Sequence, residues 1–453
     1  MAQVHDQDVD PFVDSLRGHV LRPTDPDYDA ARRVFNAMID RHPAVIVRCA
    51  EPSDVVRGVE FARSHSLPVS VRGGGHSVAG TAVCDGGIML DLSGMKGVLV
   101  DTAHQIAVAQ PGLTLGEFDR ATQAHGLATP LGVVSLTGIA GLTLGGGLGW
   151  INGKHGLSCD NLLAADVVTA DGRLLRANPG EHEDLLWALR GGGGNFGVVT
   201  SFTYRLHEVG TVLGGGVSFP AGRVRDALRF YHEFASVTPD ELSMAASLVR
   251  DAEGDPVLSV GVCYCGTLSE GERVLDPLRS FCTPVADSVG PMDYCALQSQ
   301  ADAGYPSGRQ HYWKAGFLRD LPDEAIDVLL RFVADMPSPF SGVGLQQMGG
   351  LASRVDPSAT AFAHRARQYD LLMLSQWADP ADTERNVAWT RACFGAMEPF
   401  LSGVYGNNLG DEGEARVRAA YGDNYRRLAA VKARYDPDNL FRVNQNVKPA
   451  AGS

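Results

Sequence analysis

Residues 71–80 read VRGGGHSVAG. Three consecutive glycines end on His76, and Ser77 follows. Glycine loses more backbone freedom on folding than any other residue, so a run of three is costly. It is used where the backbone must pass close to something bulky or turn sharply. The segment before it, LPVSVRG, reads as a short strand, so the chain leaves a strand and delivers one imidazole. Three roles suit that imidazole: metal ligand, proton acceptor or covalent anchor. A metal needs further ligands, and neither an H-x-x-x-H nor an HExxH spacing lies nearby. Taken alone, a histidine here reads as structural.

Outward from this loop, residues 45–210 alternate short β-type runs with helical ones. AVIVRC, GIMLDLSGM, GVLVD and QIAVAQPG read as strands. SDVVRGVEFARSH reads as a helix with Ser53 as its N-cap, and TLGEFDRATQAHG as another stopped by glycine. In AADVVTADGRLLRA the Asp-Gly pair between two strand-like runs predicts a hairpin. NFGVVTSFTYRL closes this half as a strand. From about 211 to 410 the runs ELSMAASLVR, PVLSVGVCYCG, HYWKAGFL, SGVGLQQMGG and YDLLMLSQWAD alternate with helices such as DEAIDVLLRFVADM. This predicts an antiparallel sheet with helices on one face. The last segment, from Glu414, predicts one helix stopped by proline and then an irregular tail. The fold class is α+β.

The composition narrows the partners. The chain has 453 residues, 53 acidic against 39 basic, for a formal charge of −14. A binder of nucleic-acid backbone shows the opposite balance, and anionic membranes are disfavoured for the same reason. No apolar run is long enough to span a bilayer, and the acidic start MAQVHDQDVDPFVDSL lacks the apolar region of a signal peptide, so a cytoplasmic protein, monomer or homodimer, is expected. The eight cysteines include no C-x-x-C pair. They read as packed thiols, with Cys263 and Cys265 sharing one face of a strand.

Two further glycine-dense stretches stand out. Gly192, Gly194 and Gly197 match G-x-G-x-x-G, but a helix precedes them and a strand follows, the reverse of a Rossmann turn. Close approach to a ligand and a tight helix-to-strand turn both explain them. TGIAGLTLGGGLGWINGKHGLSCDN, from Thr137, offers successive backbone N–H groups of the kind that bind a pyrophosphate, or is plain loop. It contains no P-loop lysine pattern, so ATP or GTP use is not indicated.

Six stretches together carry a resemblance. VRGGGHSVAG, DGGIMLDLSGM, ATPLGVVSLTGIAGLTLGGGLGW, KHGLSCDNLLAADVVTADG, DLLWALRGGGGNFGVVTSF and YDPDNLFRVNQNV stand in the order seen in the berberine-bridge-enzyme-like flavoproteins of the vanillyl-alcohol-oxidase superfamily. The match runs over nearly the whole chain, from about residue 20 to 449.

The resemblance implies a two-part FAD-binding domain of the PCMH type, residues 1–208 completed by 415–453, with a substrate domain at 209–414. There an antiparallel sheet covered by helices lies over the flavin. It places His76 on the histidine that bonds covalently to the flavin ring. The backbone of Arg72, Gly73, Gly74, Gly75 and Ser77 would cradle the pyrophosphate. Thr137, Gly138, Gly141, Leu142, Gly145 and Gly146 would line the cofactor. Val199 would touch the adenine side, and Asn444 and Asn446 would return from the tail toward the ring.

Three departures from the family pattern matter. Many relatives add a second bond from a cysteine to the flavin. That position here is Val134, and Cys159 does not match it, so a single covalent link is expected. Thr137 occupies the position that governs oxygen access, where oxidases often carry Val or Ile, which leaves a monooxygenase or oxidative cyclase as the alternative to an oxidase making hydrogen peroxide. In GVYGNNLGD, Tyr405 and Asn407 match the family's Tyr-x-Asn-Tyr, but Asn408 stands where the second, basic Tyr would be, and an amide is no base at neutral pH. A small-molecule substrate and molecular oxygen are the implied partners. Period two puts Gly344, Gln346 and Met348 on one face of their strand and Tyr312 and Lys314 on one face of theirs, as substrate candidates.

Overall fold

The computed structural model describes residues 6–410 and 412–451. The outermost residues of the two expected outer segments lie outside the described residues. The first sheet has four strands in the order His19–Leu21, Val45–Arg48, Ile88–Asp91, Val69–Arg72, with the last three mutually parallel. The helix Pro52–Ser64 makes the crossover between parallel strands, and its Val55, Val59 and Ala62 are fully buried under them. Glu51, not Ser53, caps it. The Asp54 side chain reaches back to the cap backbone, and proline stands at the first turn, where no N–H is needed.

The second sheet is antiparallel, in the order Val98–Asp101, Ile106–Ala109, Val198–Arg205, Leu162–Val168, Leu174–Ala177. Its last two strands form the hairpin that Asp171-Gly172 predicted, with Gly172 at φ +85°. The helix Leu115–Gln123 follows a reciprocal capping box between Thr114 and Glu117.

The third sheet is a larger antiparallel one. It runs Ala286–Asp287, Val212–Phe219, Pro256–Tyr264, Leu242–Arg250, Gly342–Met348, Gln368–Trp377, Gln310–Leu318, with Gly290–Met292 as an added edge. Helices Val224–Val237, Leu268–Ser280, Asp323–Ala334 and Thr383–Met397 bury their apolar stripes on one face of it. Val212–Phe219 carries no strand signal in its sequence, because Gly214–Gly216 interrupt the alternation. Pairing on both sides supplies what propensity lacks. The Pro256–Tyr264 strand ends before Cys265, so the two neighbouring cysteines do not share a strand face.

The C-terminal segment is two helices rather than one. Glu414–Tyr421 stops at Gly422, φ +48°, and the chain restarts as Tyr425–Tyr435. Both pack back on the second sheet through Val417, Tyr421, Tyr425 and Leu428. Among the described residues no helix is long and apolar enough to cross a membrane.

One contact between the two halves is titratable. Asp119, on the helix Leu115–Gln123, is fully buried and accepts a hydrogen bond from Gln298 Nε2 at 2.9 Å. Its other oxygen and Gln298 Oε1 have no partner. Burial pushes the carboxyl up to about 7. The folded chain therefore binds the extra proton between about pH 4 and 7, so stability falls as pH rises through that window and is flat above it. Asp119→Asn cannot ionise and offers an N–H to Gln298 Oε1. It should melt with the wild type near pH 4. Above pH 7 it should be more stable by on the order of 1–3 kcal/mol in thermal denaturation.

Candidate active site

The strand Val69–Arg72 ends at the glycine loop, which meets the turn before the helix Ile139–Leu144. The approach is close: a Cβ on Gly74 would lie 2.5 Å from the Gly138 backbone nitrogen. Only glycine allows two backbones this near. Beyond the contact opens a cavity of about 600 Å³. The glycine loops at 73–75, 137–145 and 193–197 line one side, and the uncovered face of the third sheet lines the other. A Cβ on Gly141 or Gly194 would meet no atom within 4 Å, so both glycines border open space.

His76 sits at the wall of this cavity. Its ring stacks on Phe35 with centroids 4.0 Å apart and planes 16° apart. His311 covers the other face of Phe35 at 4.3 Å. The Phe35 N–H donates to Gly75 O at 3.0 Å. Asn36 bonds both backbone groups of His311 and the carbonyl of Val78. The loop is thereby tied to the third sheet. Burial lowers the His76 pKa to about 4, so the ring is neutral at pH 7, and its Nε2 has no partner. Phe35 and His311 lay outside the sequence reading, since nothing local marks residues brought together from positions this far apart.

Sheet register sets the opposite wall. One row across the strands is Gly261, Ala245, Gln346, Asp370; the next is Ser259, Ser247, Gly344, Leu372. All eight line the cavity. Asp370 is 4% exposed and accepts a hydrogen bond from Asn408 Nδ2 at 2.5 Å. Its Oδ1 has no partner. Burial raises its pKa to about 7, against the lowering effect of Asn408. The Tyr405 hydroxyl oxygen accepts from Gly147 N–H at 2.9 Å and Asn407 Nδ2 at 2.8 Å. Burial holds that phenol protonated, so it is no base.

The expected residues divide. Gly73, Gly74, Gly75, Ser77, Thr137, Gly138, Gly141, Leu142, Gly145, Val199, Asn444, Gln346, Tyr405, Asn407 and Asn408 line the cavity with His76, and Val134 does too. Tyr312 and Lys314 do not. The Tyr312 oxygen accepts from Arg391 Nε at 3.0 Å, and Lys314 pairs with Glu412 at 3.1 Å and lies over the Phe394 ring, so both point toward the helix Thr383–Met397. The alternation was read correctly but the face was not: Trp313, on the other side of that strand, faces the cavity.

Met348 passes beyond the cavity into an apolar cluster with Leu148, Phe362 and Tyr405. Arg72, expected for its backbone, is not in the lining: its carbonyl accepts the Leu92 N–H at 2.8 Å, and its side chain bonds Ala31 O at 2.5 Å. Gly146 packs against Phe362 and Tyr405 rather than the cavity. Asn446 is outside the lining, although its Oδ1 is buried without a partner. Cys159 is fully buried in the Met348 cluster, and burial pushes its thiol up.

The tail closes the cavity. Asn195 Nδ2 donates to Gln445 O at 3.1 Å, and Asn195 Oδ1 accepts the Val447 N–H at 2.9 Å. Asn444 Nδ2 donates to Gly194 O at 3.0 Å and leaves its own oxygen unpartnered.

Known proteins match this arrangement. Residues 43–178 fit the model of an FAD binding domain, and residues 405–448 fit that of the berberine and berberine-like family. An FAD-linked oxidoreductase of Dictyostelium discoideum is 32% identical over 98% of this chain and 97% of its own. The (R)-6-hydroxynicotine oxidase of Paenarthrobacter nicotinovorans is 31% identical, covering 96% and 97%. Among solved structures, 6-hydroxy-D-nicotine oxidase from Arthrobacter nicotinovorans superposes with a TM-score of 0.88 at 29% identity, over 96% of this chain and 98% of that one. A berberine-bridge-like protein of Physcomitrella patens shares the fold, with a TM-score of 0.90 at 22% identity over 98% and 99%.

The cavity fits FAD on this structure's own terms. Two glycine loops approach without side chains, open space lies over Gly141 and Gly194, and His76 and Asn444, each with a buried polar atom that has no partner in the protein, line it. A side chain at position 194 would enter that space without touching the protein. In a His76→Ala background, where any binding is reversible, Gly194→Val should therefore leave the melting temperature of the flavin-free protein within a few degrees, yet weaken FAD binding at least about tenfold, read by flavin fluorescence quenching.

Proposed function

The chain belongs to the berberine-bridge-enzyme-like FAD-linked oxidoreductases, and from that premise we propose that it is an oxidase of a small metabolite whose FAD is held by one covalent bond, from His76. The observation that carries this reading is the state of His76. It is neutral, held flat against Phe35, and its Nε2 is buried with no partner. A neutral imidazole has the free lone pair that a nucleophile needs. Position 134, where a second bond would come from a cysteine, is a buried valine bordering the same cavity.

When bound, FAD supplies the hydride acceptor at N5 and returns the electrons to oxygen as hydrogen peroxide. The chain's own residues do the rest. Backbone groups of Gly73–Ser77 and 137–145 would hold the pyrophosphate. Val199 would pack toward the adenine, and Asn444 would approach from the tail. Asp370 is the group on the sheet face able to accept a proton from the substrate, with Asn408 orienting it at the place where relatives use a tyrosine. Trp150 and Trp313 help exclude water from that face.

Acid precipitation tests the linkage. Yellow colour should stay in the wild-type pellet and be lost from that of His76→Ala; a colourless wild-type pellet from holoprotein sinks the covalent reading. Thr137, a hydroxyl residue on the cavity wall, favours a second reading, oxygen insertion. Peroxide formed in step with product supports the oxidase. Labelled oxygen appearing in the product supports the monooxygenase instead.

The Asp370 role has a pH signature. A base must be ionised, so the rate of flavin reduction should rise with pH through about 7. In Asp370→Asn that rise should vanish and the rate at high pH should fall about a hundredfold, measured anaerobically by stopped flow.

A further inference from the structure

His76 stands at the end of three glycines, with Gly75 at φ +67°. Such a loop has little stiffness of its own, and the imidazole turns on two side-chain bonds. Its Nε2 has no hydrogen-bond partner in the protein. The plane of the ring is set by Phe35, which stacks on it with centroids 4.0 Å and planes 16° apart.

Phe35 is itself held from several sides. His311 stacks on it at 4.3 Å, and Trp313 packs T-shaped against it at 6.3 Å. It is buried in a cluster with Val78, Trp313 and Leu374. Its N–H donates to Gly75 O at 3.0 Å, and its carbonyl accepts the Gly308 N–H at 3.3 Å. Two residues on, the Ala37 N–H donates to Arg309 O at 2.9 Å. These bonds seat the phenyl ring between the glycine loop and the strand Gln310–Leu318, so its tilt is fixed from outside the loop.

A stack does what a hydrogen bond would not. A donor on a ring nitrogen would occupy the lone pair that a nucleophile uses, and a carboxylate partner would favour the protonated ring. A phenyl ring fixes the plane and leaves the lone pair free.

We propose, resting on the covalent reading above, that Phe35 is a positioning residue for flavin attachment, holding the His76 ring in the orientation from which a ring nitrogen reaches the flavin 8α carbon. In that step a nitrogen–carbon bond forms and a methyl C–H bond breaks. The proton from the methyl group and the one from the neutral imidazole are taken up by the flavin, which gains two electrons. Molecular oxygen removes those electrons and protons as hydrogen peroxide, and the bond remains. Phe35 transfers neither proton nor electron. It supplies orientation, where a misplacement of about 1 Å costs on the order of a hundredfold in rate.

The test compares Phe35→Leu, which keeps an apolar side chain and loses the flat ring, with Phe35→Tyr, which keeps it. Each protein is purified with its flavin after a short induction and precipitated in acid, and flavin is measured in pellet and supernatant. Wild type and Phe35→Tyr should hold nearly all of it in the pellet. Phe35→Leu should carry a similar total, with a pellet-to-supernatant ratio at least about tenfold lower. A merely structural role would lower the total and leave the ratio alone. Should Phe35→Leu fail to fold or to hold flavin, His311→Leu carries the test. It removes a support of Phe35 without touching His76 and should lower the ratio at least about threefold.

A wild-type ratio in Phe35→Leu, or in His311→Leu where that variant stands in, overturns the proposal. So does Phe35→Tyr attaching as poorly as Phe35→Leu. A colourless wild-type pellet overturns the linkage itself, whereas a yellow one beside unchanged variants overturns the role of Phe35 alone.

Discussion

The Lys432–Asp436 pair fixes where the chain ends, and with it the site. Both side chains are fully buried, a position in which two charges lose several kcal/mol of hydration each. They persist because every N–H of the ammonium and both carboxylate oxygens are bonded. Lys432 Nζ donates to Asp436 at 2.6 Å, to Asn195 O at 2.7 Å and to Phe441 O at 2.8 Å. Asp436 in turn accepts the N–H groups of Leu440 at 2.7 Å and Phe441 at 2.9 Å. One ion pair thus joins the last helix, the tail and the glycine loop before Val198. Without it the Asn195 contacts to the tail have no anchor, and the cavity loses the wall that Phe441 to Gln445 provide.

The two walls of the cavity follow different physics. The glycine side works with backbone: loops approach one another and leave N–H groups and open space. The sheet side works with side chains placed by register, where each strand contributes every second residue. Phe35 and Asn36 connect the two, stacking on His76 and bonding His311, so the loop and the sheet are held in one geometry. Five residues along this boundary, His76, Asn444, Asp370, Trp150 and Trp313, are among those with a buried polar atom that lacks a partner. Buried polar groups are normally satisfied inside the protein.

Much of the fold was legible because its signals are local. The hairpin at Asp171-Gly172 and the strands beside the glycine loops follow from turn chemistry and periodicity. The strand Val212–Phe219 was missed for the opposite reason. Its glycines erase the alternation, and its strand character comes from neighbours on both sides. The C-terminal helix divides at Gly422 because the second half must turn to bring Lys432 under the glycine loop.

The sequence by itself determined the glycine loops, the imidazole at their end, the valine at 134 and the amide at 408. These are identities at fixed positions in ordered motifs, and no folding is needed to read them. Tertiary structure decided which face of each strand meets the cavity. Alternation says that Tyr312 and Lys314 share a side and that His311 and Trp313 share the other; only packing against the helix Thr383–Met397 says which is outside. It likewise decided that Asp370 is a buried acid and that Phe35 backs His76. Burial and stacking belong to contacts between distant segments, and the chain order does not contain them.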